Sequence, residues 1–412
     1  MTPGGLSLLY APPFSIVARF FLTASLFGLL GAFLGIYMIL KGSFNLQALV
    51  HTYTLGFMAT TMVGALFQML PVVAGAVIEN PLQKARYTHI FMLSGTLLLV
   101  LGFLSSEKPL MLSGLLLLLG GILFITPIML YKLLRLKSHT PTSSGMRYAI
   151  AMFILGTLLG TLLVLSLSGE FSLNYLLLAR AHFSVMLFGW VGILIVSVAF
   201  QVIEMFFVTE PYPKTYARWF HPITLALIAL SLCGDIWILR LPLSALFIYF
   251  ALITALRLRQ RRRKIPDPLV NLWYTGMLFL VLSMLIFPFS EFGSKSFLTF
   301  LLLYGAFVHS VILAMMYRII PFLVWLHLSN MGVPDAPTMH EVIKPGRVWV
   351  QFYLHIASLF VLFIAFFTGF KAVWFLCSLL YALSFAFLSL NLFRGILVYF
   401  RRAYPQGASP QR

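Results

Sequence analysis

Charge is what this sequence has least of. Only 9% of its 412 residues are charged, while 61% are hydrophobic; a soluble fold carries roughly a quarter of its residues as charges. Just ten residues are acidic. That scarcity excludes an ordinary soluble protein and a disordered chain, since both need polar groups to meet water. No long polar stretch remains to house a Rossmann domain, a P-loop or a separate catalytic module. The two cysteines, Cys233 and Cys377, lack partners at redox or metal-ligand spacing and read as buried thiols. The first 18 residues carry no basic n-region, so no cleavable signal peptide is expected and the first span serves as its own insertion signal.

What the chain has instead is apolar runs of membrane-spanning length. A bilayer core takes about 20 apolar residues per helix, and windows of that size recur from end to end. The expected fold is all-α, a single integral membrane domain over 1–412 with lipid around it. Twelve spans are expected, near 14–40, 46–77, 86–106, 109–134, 146–168, 173–207, 216–237, 241–258, 268–289, 296–327, 347–370 and 373–400. Continuous apolar runs, not alternating ones, point to helices and away from a barrel. Nineteen Lys and Arg residues fall in loops on the side of the N-terminus and five on the other. Positive-inside logic then puts both termini in the cytoplasm, in what reads as a bacterial inner membrane. The net charge of +18 is mostly this topology signal, so no nucleic-acid partner is implied. The run Arg257–Lys264 reads as a stop signal.

Three even-numbered spans resemble one another. The second holds His51-Thr-Tyr-Thr-Leu-Gly-Phe57 and then Phe67-Gln68-Met-Leu-Pro71. The sixth holds His182-Phe-Ser-Val-Met-Leu-Phe-Gly-Trp190 and then Phe200-Gln201-Val-Ile-Glu204. The tenth holds Gly305-Ala-Phe307 and then Arg318-Ile-Ile-Pro321. Aligning Gln68, Gln201 and Arg318 superimposes Gly56-Phe57, Gly189-Trp190 and Ala306-Phe307. The following spans repeat too: Ala85-Arg-Tyr-Thr-His89, then Ala217-Arg-Trp-Phe-His221, then Gly346-Arg-Val-Trp349 with its histidine displaced to His355. Twelve spans therefore divide into three quasi-equivalent four-helix arcs. A transporter more often repeats six plus six.

Twelve spans in three arcs, with histidines near the outer halves of the even-numbered ones, resemble subunit I of the heme-copper oxidase superfamily. His182 ahead of Leu187-Phe-Gly189, together with Arg318-Ile-Ile-Pro-Phe322, also resembles the NnrS-type heme membrane proteins. The likeness implies heme and, as a further option, copper, with nitric oxide or respiratory metal and heme handling as the expected role. It implies an electron-transfer partner in respiration. By that likeness His51 matches a second-helix heme ligand, His182 a sixth-helix copper ligand and His309 a tenth-helix heme ligand. Arg180 is placed to meet an outward heme propionate. Departures limit the likeness. The seventh span has no adjacent histidine pair and the tenth has one histidine, not two. No tyrosine follows His182 at a cross-linking position. A complete oxygen-reducing centre is therefore not expected, and whether the chain is an enzyme stays open. The repeat puts His182 within about 3 Å of the depth of His51, and His309 about 12 Å deeper, at 1.5 Å per residue.

In the inner half, Gln68, Gln201, Glu204 and Arg318, with His89 and His221 nearby, read as a structural polar cluster in which Glu204 pairs with Arg318. Glu204 and Asp235 are the carboxylates well inside the spans. His139, His327 and His340 read as loop or interface residues. The alternative to heme binding is a membrane scaffold or accessory subunit that keeps the fold without cofactors.

Overall fold

The computed structural model describes residues 11–234 and 236–404, which include no β-strand; Asp235 lies outside them. Twelve long helices follow one another: α1 Phe14–Lys41, α2 Leu46–Ala74, α3 Pro81–Ser105, α4 Lys108–Leu134, α5 Pro141–Leu167 and α6 Tyr175–Phe207, then α7 Lys214–Leu232, α8 Trp237–Arg259, α9 Pro268–Phe289, α10 Lys295–Asn330, α11 Pro345–Thr368 and α12 Lys371–Ala403. Among the described residues, eleven are long and apolar enough to cross a membrane. The other is α7, only 19 residues long, with Lys214, Arg218 and His221 in its first turns. The protein is an all-α, polytopic membrane protein.

Most helix ends sit near the expected positions. α3 and α5 begin earlier, at Pro81 and Pro141, because proline at a first helical position starts a helix at no hydrogen-bond cost. Thr140 adds a capping box with Ser143, so this polar first turn forms ahead of the apolar window. α7 stops at Leu232, two residues before Gly234.

Consecutive helices pack as neighbours, and α1 also lies along α12, which closes the bundle. The three helices that share the internal repeat are the innermost. In their apolar stretches 83% of α2, 78% of α6 and 72% of α10 is buried, against at most 50% in any other span. A helix apolar on all sides can occupy such a place; the outer helices give one face to lipid. Glycines let the outer pairs close. A Cβ on Gly95 of α3 would stand 2.8 Å from the Leu118 backbone nitrogen of α4, and one on Gly102 2.6 Å from that of Met111. Small residues bring helix backbones together where lipid offers no hydrophobic drive. At the face where α1 begins and α12 ends, Glu79 meets Lys132 at 2.6 Å. That hydrogen bond and charge hold its carboxyl below the usual carboxylate range. On the opposite face Lys108 meets Glu170 at 2.5 Å.

The glycine contacts set an expectation for stability. Gly102→Val forces backbone apart and should cost about 1–3 kcal/mol. Gly305→Ala adds a methyl where nothing lies within 4 Å, and should be neutral or gain up to about 1 kcal/mol from helix propensity. Thermal unfolding of the two variants in detergent checks the difference.

Candidate functional site

Two of the repeat helices share a deformation. α2 runs as an α-helix to His51, widens to a π-helix over Thr52–Ala59, and resumes as α. α6 does the same, with its π segment at Val185–Gly192. Thr52 and Val185 each stand sixteen residues before the aligned glutamine, Gln68 or Gln201, so both segments occupy one position of the repeat. Wide turns leave carbonyls to satisfy, and hydroxyls do so: Thr60 Oγ1 donates to Leu55 O at 2.9 Å and Tyr304 OH of α10 to Leu187 O at 2.6 Å. π segments inside α-helices gather at functional sites. Here each directly follows, or follows within one turn, a histidine singled out above.

Those two histidines meet. The rings of His51 and His182 lie 6.5 Å apart, centroid to centroid, with planes 19° from parallel. His51 Nδ1 donates to Gln47 O at 2.8 Å, on its own helix. His182 Nδ1 donates to Gly156 O of α5 at 2.9 Å. A carbonyl only accepts, so both rings carry their proton on Nδ1 and present Nε2 as a lone pair. Such second-shell bonds orient metal-bound imidazoles. Phe103 packs on His51 at 5.2 Å. His182 lies against Gly160, where a Cβ would come within 2.9 Å of its Cε1. The spacing has a chemical meaning. With metal–nitrogen bonds of about 2.0–2.1 Å, imidazoles on opposite sides of one ion have centroids roughly 6 Å apart, and at a right angle roughly 4.5 Å. The His51–His182 spacing belongs to the first kind.

The other assigned residues stand elsewhere. His309 of α10 is buried deeper, edge-on to Phe57 at 5.2 Å and parallel to Phe385 at 4.8 Å. It is not brought to the His51–His182 pair; its imidazole neighbour is His355 of α11, at 4.6 Å. Arg180 lies in a small cleft beside Phe183, Ser184, Ser231, Arg240 and Phe287. Two residues along an α-helix turn a side chain through about 200°, so Arg180 faces α7, α8 and α9, while His182 faces α2 and α5. The geometry does not bring its guanidinium to the paired imidazoles.

The expected inner polar cluster is not one cluster. Arg318 pairs with Asp267, Nη2 to Oδ2 at 2.8 Å, and not with Glu204, which is exposed. Asp267 is held in place as the N-cap of α9, accepting from Leu269 N at 2.9 Å. The Arg318 guanidinium also lies over the rings of Phe206 and Phe207, 5.8 and 5.2 Å from their centroids. His89 hydrogen-bonds Thr23 of α1 at 2.8 Å, and His221 hydrogen-bonds Ser197 of α6 at 2.9 Å. Gln201 is half-buried; Gln68 is buried with neither amide atom hydrogen-bonded among the described residues. Each group answers to its own neighbour because repeat-equivalent positions lie on different helices around a ring.

One polar network escaped the sequence. Asn391 Nδ2 donates to Tyr317 OH at 3.0 Å, Tyr317 OH to Gln351 Oε1 at 3.2 Å, and Gln351 Nε2 to Ser384 Oγ at 2.7 Å. It joins α10, α11 and α12. The available signal was spacing, since Gln351 and His355 are one turn apart and share a face of α11.

Asp267→Ala should cost about 1–3 kcal/mol, because it strands Arg318 and uncaps α9. Glu204→Gln should change stability by less than about 0.5 kcal/mol, as at other exposed sites. A larger loss from Glu204→Gln than from Asp267→Ala in detergent melts would restore the pair expected from sequence. No protein-family model matches the chain, and no curated protein shows significant similarity to it.

Proposed function

We propose that the protein binds one heme through His51 and His182, in the half of the membrane away from the termini, and serves respiratory electron transfer. The observation that carries this reading is the imidazole pair itself. Two rings on neighbouring inner helices each tie Nδ1 to a backbone carbonyl, and their spacing suits opposite sides of one ion. Among the described residues no three His, Cys, Asp or Glu side chains converge. A structural zinc site needs four ligands and a catalytic one three. Heme supplies the four equatorial nitrogens itself, so two protein ligands suffice. The iron would contribute one-electron chemistry. With His51 and His182 both engaged in holding the group, the site would favour passing electrons over binding a gas. Gly160 gives His182 its place, and the Gln47 and Gly156 carbonyls raise the basicity of both ligands.

Heme-supplied protein purified in detergent should give a low-spin spectrum. His51→Ala and His182→Ala should each abolish or strongly shift the Soret band, while His340→Ala, at an exposed position in the short helix Met339–Val342, should leave it alone. An unchanged Soret band in His51→Ala sinks the ligand assignment. Protein that takes up no heme favours the cofactor-free scaffold. We also propose that the termini are cytoplasmic: reporter fusions after residues 140 and 262 should both read inside, and an external reading of either overturns the orientation.

A further inference from the structure

We infer that Tyr304 of α10 is a positioning residue for the outer imidazole pair: its hydroxyl holds open the widened turn of α6 that aims His182 at His51. The inference rests on the reading of that pair as a ligand site, and it starts from a carbonyl. The π segment Val185–Gly192 turns the Leu187 oxygen toward α10, and Tyr304 OH donates to it at 2.6 Å. Tyr304 is 1% exposed, and its ring is boxed by Phe188, Phe300 and Phe307 at 5.7, 5.8 and 5.4 Å. A buried phenol needs an acceptor, and a carbonyl left open inside the bilayer needs a donor supplied by protein. Each answers the other's need.

The repeat shows why a second helix is needed. In α2 the wide turn is served from within, by Thr60. Thr60 and Ile193 each stand eight residues before the aligned glutamine, and Ile193 carries no hydroxyl. α6 therefore takes its hydroxyl from outside. Leu187 and Tyr304 each stand fourteen residues before the aligned Gln201 or Arg318, so on two helices running the same way they reach one depth. α10 passes that level as an unbroken α-helix, a straight strut for the wider turn to lean on. Gly192, where the segment ends, keeps the oxygen open: a Cβ there would stand 3.1 Å from it. Without the phenol, the Leu187 carbonyl is best satisfied by closing the segment into ordinary α turns. That absorbs one residue and turns Tyr175–Ser184 by about 100° against Ile193–Phe207. His182 would then leave the Gly156 carbonyl, 2.9 Å from its Nδ1, and swing away from His51.

Two measurements on the full-length protein separate this inference from the heme reading. In a Cys233→Ser, Cys377→Ala background, spin labels are attached at Leu177→Cys and Leu40→Cys, exposed positions at the outer ends of α6 and α1. Their separation reports the direction of the outer α6 segment with no heme added. The parent should give one distance, and Tyr304→Phe should add a second, displaced population. Heme titrated into unlabelled protein should bind Tyr304→Phe about fivefold more weakly or worse, the worth of one net hydrogen bond, with part of the low-spin spectrum replaced by a high-spin one. Tyr304→4-aminophenylalanine keeps a donor in the same place and should restore both readouts. Tyr317→Phe removes a hydroxyl bonded to Gln351 and Asn391 further along α10, and should leave label distance and spectrum alone while lowering stability. Wild-type protein that takes up no heme defeats the heme reading, and the label distances then decide by themselves. An unchanged distance in Tyr304→Phe overturns the inference. So does an unaltered low-spin spectrum of that variant beside heme-loaded wild type, or an equal displacement in Tyr317→Phe.

Discussion

A buried imidazole has two nitrogens, and an apolar bundle offers a partner for one. That constraint organises the interior. His51 and His182 give Nδ1 to backbone carbonyls. His89, His221 and His355 place Nε2 on a threonine or serine hydroxyl of a neighbouring helix. Each tie fixes a ring, and where the partner is a carbonyl, or a serine that already donates elsewhere, it decides which nitrogen keeps a lone pair. With no water to absorb a misplaced donor, the hydrogen-bond partner decides what the histidine can hold. The backbone carbonyl and the serine hydroxyl are thus as much part of these sites as the rings.

The two imidazole pairs stand in series through the bundle. His51 and His182 join α2 to α6 near the face opposite the termini, and His309 and His355 join α10 to α11 further in. Phe57, six residues after His51 on the same helix, touches His309 edge-on, so one aromatic ring links the second pair to the helix carrying the first. Below them the Tyr317–Gln351–Ser384 network ties the last three helices together. α5 anchors two of these rings: Gly156 and Gly160 fix His182, and Gly145 makes room for His221.

Much of the fold was legible because hydrophobic length is a coarse and additive signal. Apolar windows located the spans, and Gln68, Gln201 and Arg318 revealed which three resemble one another; these proved to be the innermost. The similar depth of His51 and His182 followed from counting residues along that repeat. Facing was not legible. Arg180 and His182 sit two residues apart and point to different helices, and Glu204 lies outside while Arg318 reaches Asp267 across a loop boundary. These depend on rotation about each helix axis, and in membrane helices apolar residues on every side blur the periodicity that would reveal it. His355 stood out only as a displaced member of the repeat, although its displacement is what sets it beside His309.

The π segments bear on how the outer pair came to face inward. A widened turn accommodates one more residue than the α-helix around it, and each extra residue rotates everything before it by about 100° relative to everything after. The direction in which His51 and His182 look, relative to the inner ends of α2 and α6, is therefore set by how many residues the chain inserts and not by which residues they are. α10 continues as an uninterrupted α-helix through the equivalent stretch, and its histidine looks elsewhere. The two helices that present an imidazole to one another thus share the widened turn, and the sister helix that lacks it carries its imidazole at a different depth.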